Sequence, residues 1–576
     1  MLSDATVVSN LNQPPEPVPT RSFNKAIWGA AIGLLVLHVI LAWLLRDQIG
    51  MGNDDAMYIQ LSRSLRAFGY REEFLIGAPW HSQYPPFYPL LLAAISTLAG
   101  ERVDVLIAAS ALLSAGALLL IFDAVRRLWS PILALMVLTV CAVNFFLLEA
   151  AGDIGTEAPY MALSTLSLWV LSRRTNTKMA IVLAGAAAIA AALTRSVGVV
   201  LVAALLISWL TERRYNRVII FGAMAVLLVG SWLAWTVVSP TRESGRSYVG
   251  EAFKVIESST DPNWASANPS GASAKPSGTS AKPSSILVIR PTRSARGYIT
   301  AALPARMHLP TVSGTSTDNI VWLLLFAVCS AVGALIIWRS AWRSALFYLL
   351  LYMVFLFAWI WPVARFLDPV LPFLFLTFLA GAVALGERVL PRAALAPAVA
   401  LTLVIAASSL VRVAPAIVRA VSCDRSTPLQ STGCFTPHQR AWLAAAVYAR
   451  EQTPASTRFM ASKEGAFSYH SDRKLVAFPN VLQDGSEGVI QRMQDANVRY
   501  VVIGAGTGRE RRLARVLVPL CERLAVAQMF PPRAAILEVL PGLQTDPVKS
   551  ACPILVRAEK GLRLWSESAP TSGEEL

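Results

Sequence analysis

Hydrophobic residues in this chain fall into long blocks that short polar segments separate. Most blocks are roughly 15 to 21 residues long, close to the ~20 residues that an α-helix needs to cross about 30 Å of hydrocarbon. A backbone in lipid must satisfy its own hydrogen bonds, and blocks of this length favour helices over the strands of a β-barrel. The pattern predicts an α-helical polytopic membrane protein with about eleven spans, at 26–45, 104–124, 130–148, 157–172, 179–193, 196–210, 218–238, 320–338, 345–361, 367–385 and 394–411.

The distribution of basic residues predicts the sidedness of these spans. They mark alternate short loops: Arg126 and Arg127; Arg173, Arg174 and Lys178; Arg213, Arg214 and Arg217; Arg339 and Arg343; Arg388 and Arg392. Lysine and arginine accumulate in cytoplasmic loops, so the tail 1–25 is predicted to be cytoplasmic and the loop 46–103 to lie outside. The apolar segment 87–99 is too short to span, and counting it would reverse this order, so we predict a re-entrant or interfacial segment.

Composition agrees with a membrane location. Of the 576 residues 55% are hydrophobic and 15% charged, and the mean hydropathy of +0.52 exceeds what one soluble core requires. A net charge of +15 raises the possibility of nucleic-acid binding. Because many of the basic residues flank hydrophobic blocks, we predict no nucleic-acid partner and expect a transmembrane domain over 26–412.

Two polar regions remain. The segment 413–576 alternates helical patterns with short apolar runs, which predicts a small α/β domain outside the membrane. The outside loop 239–319 contains SAKPS twice and has too few apolar residues to fold alone, so we expect a flexible insertion.

Four of the six cysteines lie in the C-terminal segment, where an oxidising compartment permits disulfides: Cys423, Cys434, Cys521 and Cys552. They allow three pairings, of which 423 with 434 and 521 with 552 is the simplest. The alternative is four unpaired thiols.

Candidate chemistry begins in the first outer loop. The run NDDAMYIQLSRSLRAFGY has apolar residues at helical spacing and predicts an amphipathic helix in the membrane interface. Asp54 and Asp55 begin it, and either one suits a general base for an acceptor hydroxyl, with Tyr58 on the same face. Alternatively, the two carboxylates only cap the helix.

Further along, the run HSQYPPFYPLLLA carries His81 and Tyr84 directly before two prolines, which make a rigid bend. The alternative is that this segment is only a loop that closes over the helical bundle. No histidine shows metal-ligand spacing, so no metal site is predicted.

The second outer loop, EAAGDIGTEAPYMAL, is acidic. Asp153 and Glu157 either face the same cavity as Asp54 or serve only the electrostatics of a helix end. Arg195 and Arg365 stand at the outer ends of spans, where arginine suits a phosphate, although both could also snorkel to lipid headgroups.

The ordered set DDAMY, YPPFYPLLLA, TEAPY, LTRSVG and ARFLDPVLPF resembles the C-type glycosyltransferase (GT-C) superfamily. More closely, it is similar to bacterial relatives of protein O-mannosyltransferases and lipid A aminoarabinose transferases, of glycosyltransferase families 39 and 83. The resemblance covers about residues 25–390. It implies that Asp54, Asp55 and Glu157 are catalytic, with Asp54 as base. Substrate contacts are then expected from Tyr58, His81, Tyr84, Asp153, Arg195 and Arg365.

This resemblance implies transfer of a hexose or pentose from a polyprenyl-phosphate donor to a hydroxyl of a glycolipid, glycan or protein, by direct inverting displacement. It implies no metal and no cofactor besides the lipid-linked donor. We expect a multi-pass protein of the bacterial inner membrane, with its site and C-terminal domain facing the periplasm. The rival is a transporter or flippase of lipid-linked sugars. That class usually shows internal repeats and polar residues at mid-bilayer, neither of which we find in the sequence.

Overall fold

A computed structural model describes residues 21–46, 52–173, 177–239, 295–309, 316–359, 363–424, 434–476, 481–504, 508–541, 543 and 546–564. The part of the chain before residue 425 is helical where described. Its α-helices are α1 Arg21–Leu44, α2 Asp54–Arg66, α3 Phe87–Ala99, α4 Val103–Leu128, α5 Pro131–Ala142, α6 Phe145–Ala151, α7 Glu157–Ser172, α8 Lys178–Thr194, α9 Val199–Thr211, α10 Tyr215–Val238, α11 Leu303–Arg306, α12 Ser316–Arg339, α13 Arg343–Ala358, α14 Leu371–Val389 and α15 Ala396–Val421.

Every predicted span coincides with a helix or a bent pair of helices. By length and composition alone, six of the described helices could cross a membrane, or seven if the pair α5 and α6 counts as one broken span. Shorter apolar helices occupy four other segments, including α3, α8 and α13. A multi-pass helical architecture is thus established, while the number eleven stays a prediction.

The bend between α5 and α6 has a local cause. The two helices meet at 68°, and Asn144 stands between them as the N-cap of α6, accepting hydrogen bonds from the backbone N–H groups of Phe146 and Leu147. An asparagine side chain in this role satisfies donors that the new helix would otherwise leave unpaired. The chain therefore changes direction here, and the acidic loop that follows α6 leads into α7.

The helices α12 and α14 pack through glycine. A β-carbon on Gly333 would collide with the backbone of Thr377, and one on Gly381 would collide with the backbone of Cys329. Small residues let helix backbones approach closely, which is how helices pack where lipid offers no hydrophobic driving force between them. This contact fixes α14, and with it the turn at its N-terminal end that carries Arg365.

The C-terminal segment combines helices with one four-stranded sheet of order β1-β2-β4-β3. β1 pairs parallel with β2, whereas β4 runs antiparallel to both β2 and β3. The elements are α16 Pro437–Gln452, β1 Phe459–Met460, α17 Glu464–Ser471, α18 Val481–Asp495, β2 Tyr500–Gly504, α19 Gly508–Leu517, β3 Leu524–Phe530, β4 Ala534–Val539 and α20 Cys552–Glu559. Cys423 is bonded to Cys434 and Cys521 to Cys552, as in the simplest predicted pairing.

The C-terminal segment covers helix α2. Met57, Ile59 and Leu61 of α2 are buried in one cluster with Trp442 and Phe467 of the C-terminal segment. The amide of Gln60 also donates to the carbonyl of Gly465 at 2.6 Å. Met57 and Leu61 of the predicted apolar face are therefore buried against protein, whereas Phe68 of the same face is exposed, and the interfacial placement of this helix stays a prediction.

The predicted insertion 239–319 lies mostly outside the described residues. Its described part at 295–309 includes the π-helical turn Tyr298–Ala302 and α11. Tyr298, Leu303 and Met307 are buried in the main helical core. This part of the segment therefore belongs to the helical fold, contrary to the expectation of a flexible loop throughout.

Candidate active site

The candidate site is built around Asp54, in the first turn of α2. Its Oδ1 accepts a hydrogen bond from the hydroxyl of Tyr84 at 2.9 Å, and its Oδ2 accepts one from Nη2 of Arg365. Asn53, the N-cap of this helix, makes no side-chain capping bond. The carboxylate of Asp54 thus holds a tyrosine and an arginine from distant parts of the chain, and helix capping alone does not account for it.

Glu157 joins two arginines at the start of α7. Its Oε1 lies 2.7 Å from Nη1 of Arg195 and 3.8 Å from Nε of Arg365. Arg195 also donates to the hydroxyl of Thr156 at 3.3 Å. Thr156 is the N-cap of α7, but its side chain makes no capping bond. Both arginines are held by acids, so snorkelling to headgroups does not explain them.

These four charges form an alternating chain from Arg195 through Glu157 and Arg365 to Asp54. Arg195 and Glu157 are largely buried, whereas Arg365 is 47% and Asp54 26% exposed. The formal charges cancel. The accessible end of the chain therefore offers a carboxylate and a guanidinium side by side, which suits a group that accepts a proton and one that binds an anion.

The site opens into a narrow cleft with a cavity volume of about 60 Å³. Aromatic side chains form much of its wall: the rings of Tyr58 and Tyr84 are 4.9 Å apart, and Arg195 lies over the ring of Phe366 at 4.7 Å. The lining residues are Asp54, Tyr58, Tyr84, Pro85, Thr156, Thr194, Arg195, Ser196, Val197, Phe355, Trp359, Arg365 and Phe366. Five of the nine predicted site residues therefore share one cleft, and Glu157 pairs with two of them.

His81 lies outside the cleft. Its side chain is fully buried and does not line the cleft. Nε2 accepts a hydrogen bond from the backbone N–H of Tyr84 at 2.7 Å, so Nδ1 carries the proton and donates to Glu72 at 2.8 Å. His81 thus positions the loop that holds Tyr84 and does not reach the cleft, but the residue lines the neighbouring apolar groove, so the predicted substrate contact stays a prediction.

Asp55 and Asp153 also lie away from the cleft. Asp55 is buried. Successive residues of an α-helix point about 100° apart, so Asp55 cannot share the direction of Asp54. Asp153 lies beside Glu157, since a β-carbon on Gly155 would contact the carboxylates of both. The predictions of direct roles for Asp55 and Asp153 are therefore not supported by their positions.

A second, apolar groove adjoins the cleft. It has a cavity volume of about 520 Å³. It is lined by Tyr70, Trp80, His81, Pro86, Leu193, Leu228, Ser231, Trp232 and Trp235. The two spaces meet at two pairs of adjacent residues. Pro85 and Thr194 line the cleft, whereas their sequence neighbours Pro86 and Leu193 line the groove. An apolar molecule in the groove could therefore carry a polar group into the cleft.

The cleft contains several residues that sequence reasoning missed. Phe355, Trp359 and Phe366 lie in or beside hydrophobic blocks, where an aromatic residue carries no separate signal. Glu72 binds the ring of His81, and the indole N–H of Trp235 donates to the carbonyl of His81. Neither residue carries a signal in the sequence. Among the described residues, no group of three His, Cys, Asp or Glu side chains is arranged to hold a metal ion.

Comparisons with known proteins concern the sequence family of one part of this chain and the fold of the whole. Residues 83–241 match the family profile of dolichyl-phosphate-mannose-protein mannosyltransferases. The oligosaccharyltransferase of Archaeoglobus fulgidus, tethered to an acceptor peptide containing the NVT sequon, aligns with 14% identity and a TM-score of 0.51 over 88% of this chain and 73% of that one. ArnT of Cupriavidus metallidurans, bound to undecaprenyl phosphate, aligns with 13% identity and a TM-score of 0.49 over 92% of this chain and all of that one. A sequence search of curated proteins found no match.

The fold is that of the C-type membrane glycosyltransferases. The resemblance that the sequence predicted is therefore confirmed. Within that class, the part that matches a sequence family is 83–241, the stretch that carries Tyr84, Glu157 and Arg195.

Proposed function

We propose that this protein transfers a sugar from a polyprenyl-phosphate donor to an acceptor hydroxyl at the outer face of the membrane. The observation that carries the proposal is the pairing of Asp54 with Arg365 at the accessible end of the charged chain. Two comparisons support it: the name of the family that matches residues 83–241 includes a dolichyl-phosphate sugar donor, and an oligosaccharyltransferase has a fold similar to that of this chain.

In the proposed reaction, the acceptor hydroxyl attacks the anomeric carbon of the donor. A C–O bond forms to the acceptor as the bond to the phosphate oxygen breaks, and the configuration inverts. Asp54 takes the acceptor proton as general base, since its carboxylate is part exposed in the cleft. Tyr84, which donates to the other oxygen of Asp54, fixes the direction of that carboxylate.

Arg365 and Arg195 are proposed to bind the donor phosphate. Guanidinium groups bind two phosphate oxygens at once and stay charged, so they stabilise the negative charge that grows on the leaving phosphate. Glu157 holds both arginines at fixed positions. The two arginines thus supply the positive charge that stabilises the leaving phosphate.

The apolar groove is proposed to hold the lipid end of the donor. Tryptophan and leucine side chains line the groove. Several of them belong to α10, which also carries the exposed apolar residues Val226, Leu227 and Leu228. A polyprenyl chain entering there from the bilayer would reach the arginines through the point where groove and cleft meet.

Two features support an outer, periplasmic location of the site: the positions of arginines at the opposite end of the helices and the disulfides of the C-terminal segment. Arg126, Arg127 and Arg173 meet at Asp123, near one end of α4 and α7, whereas Glu157 begins α7 at its other end. Arginine-rich ends favour the cytoplasm. The two disulfides of the C-terminal segment favour an oxidising compartment such as the bacterial periplasm.

The test is transfer of a labelled sugar. Purified protein in detergent is mixed with a radiolabelled polyprenyl-phosphate sugar and with lipid, glycan and protein fractions from the same envelope. We expect label in one acceptor fraction with release of polyprenyl phosphate, and loss of both when Arg365 is replaced by alanine. A flippase would instead move intact donor across proteoliposomes with no transfer, and that result would refute the proposal.

A further inference from the structure

His308 has an unusual backbone for its residue type. It lies just beyond the end of α11 with a φ of 52°, in the left-handed region. The N–H of His308 donates to the carbonyl of Ala305 and that of Leu309 to the carbonyl of Pro304, which is the pattern that closes a helix C-terminus. Glycine or asparagine normally occupies this position, because a β-carbon is unfavourable there. A histidine at this position requires an explanation from its side chain.

The side chain of His308 is buried without a hydrogen bond. It is 1% exposed, and neither ring nitrogen has a hydrogen-bond partner among the residues that the structure describes. The ring stacks on Phe146 with the centroids 5.2 Å apart. Burial first, and then the charges of Arg412 and Arg306, lower its pKa to about 4. The ring is therefore neutral at physiological pH, with one N–H to donate and one nitrogen to accept.

Two arginines surround the same phenylalanine. Arg306 lies over the Phe146 ring at 3.9 Å and Arg412 at 5.8 Å. Arg306 is neutralised by Asp368 at 2.9 Å. Arg412 has no carboxylate within ion-pair distance in the part of the chain that the structure describes, which leaves one positive charge beside an unsatisfied N–H group.

We propose that His308 and Arg412 form a second anion site, for the phosphate of a membrane lipid, separate from the arginines of the cleft. Phosphate matches the two features, because its oxygens accept both from a guanidinium and from a neutral imidazole N–H. Arg412 lies at the end of the predicted last span, and its neighbours Leu410 and Val411 are exposed apolar residues. Acyl chains can therefore lie along α15 while the head group binds Arg412 and reaches the neighbouring ring of His308.

The experiment measures lipid binding to the delipidated full-length protein by native mass spectrometry. Dioleoyl phosphatidic acid is compared with dioleoylglycerol, which has the same chains and no phosphate. We expect His308→Gly and Arg412→Gln each to weaken phosphatidic acid binding about tenfold, the loss typical of a charge-assisted hydrogen bond. Arg419→Gln, an exposed arginine two turns further along the same helix, is the matched control and should bind as the wild type does.

The variant His308→Gly also separates a ligand role from a purely structural one. Glycine adopts the left-handed conformation without cost, which offsets part of the stability lost when the buried ring is removed, so the lipid binding of the folded variant is the quantity compared. Unchanged phosphatidic acid binding in both variants, or an equal loss in the Arg419→Gln control, would overturn the proposal. Arg412→Gln decides alone if His308→Gly does not fold.

An inorganic phosphate arm identifies the source of the anion. Displacement of phosphatidic acid by millimolar phosphate would show that the phosphate group alone is recognised. Resistance to it would show that the lipid head group with its chains is the ligand. Because the readout is binding, the result does not depend on whether the proposed sugar transfer occurs.

Discussion

Replacing Asp54 with asparagine tests the centre of the proposed mechanism. The two side chains have the same shape, so Asp54→Asn removes the base and one charge while leaving the cleft intact. Tyr84 can still donate to the amide oxygen, but the ion pair with Arg365 is lost. The substitution therefore separates catalysis from architecture.

The expected sizes of the two effects differ greatly. A positioned general base contributes roughly 10²- to 10⁴-fold to a rate, so kcat should fall by about that factor. The ion pair is 47% exposed at Arg365 and 26% at Asp54, and a pair this accessible to solvent contributes only about 0 to 1 kcal/mol to the free energy of unfolding. We therefore expect an inactive but folded protein that still binds donor, because Arg195 and Arg365 remain.

Asp55→Asn is the matched control, one residue away with the same chemistry. Asp55 is buried and does not line the cleft. Its replacement should lower stability by about 1 to 3 kcal/mol and leave kcat within about threefold of the wild-type value when corrected for folded protein. The assay is sugar transfer at saturating donor, with thermal unfolding of both variants. A folded Asp55→Asn protein as inactive as Asp54→Asn, or an active Asp54→Asn protein, would refute this assignment of the base.

Further substitutions test three other contacts: Arg365 with the donor, His81 with Tyr84, and the disulfide between Cys521 and Cys552. Arg365→Lys keeps the charge but loses the planar fork, so kcat/KM for the donor should fall about 10- to 100-fold; an unchanged value in donor titrations would contradict a phosphate contact. His81→Ala should lower kcat about tenfold because Tyr84 loses its anchor, while His81→Gln, which can still accept from Tyr84 and donate to Glu72, should recover most of it; equal loss in both would indicate another role. Cys521→Ser with Cys552→Ser should lower the free energy of unfolding of the C-terminal segment by about 3 to 4 kcal/mol, measured by thermal unfolding, with kcat unchanged at a temperature where the protein stays folded.

The helices and four of the cleft residues were predictable because each has a strong local signal. A hydrophobic block of span length predicts a helix with little dependence on its neighbours, and positive residues at its ends predict its direction. Arg195 and Arg365 stand at the ends of such blocks, whereas Asp54 and Tyr58 begin the amphipathic pattern of the first outer loop. A polar group at the boundary of a membrane helix is costly without a partner, so its presence indicates a site.

The remaining assignments depend on orientation, which the sequence does not encode locally. Asp54 and Asp55 are equivalent as a sequence pair, and only the rotation of α2 decides which faces the cleft. His81 has the same one-letter neighbourhood whether its ring meets substrate or a buried Glu72. The hydrophobic pattern of α2 also does not identify what covers its apolar residues: Met57 and Leu61 pack against the C-terminal segment, which no local signal indicates.

The resting contact between Asp54 and Arg365 has a consequence for the order of binding. Both carboxylate oxygens of Asp54 are engaged, Oδ1 by the hydroxyl of Tyr84 and Oδ2 by Arg365, so an acceptor hydroxyl can reach the base only when one of these contacts is released. A donor phosphate competes for the same guanidinium and would release Asp54. The base therefore becomes effective only once the donor is bound, and the order is donor first, acceptor second.

Product inhibition measures this order. Polyprenyl phosphate leaves the donor position last, so it should compete with the donor and be non-competitive against the acceptor. In Arg365→Lys, where the ammonium is a point charge and its hold on Asp54 is weaker, the order should relax toward random, and the acceptor should bind detectably without donor. Competition between polyprenyl phosphate and the acceptor in the wild-type protein would contradict the argument, because it would mean that the acceptor binds the free enzyme while Asp54 is still paired with Arg365.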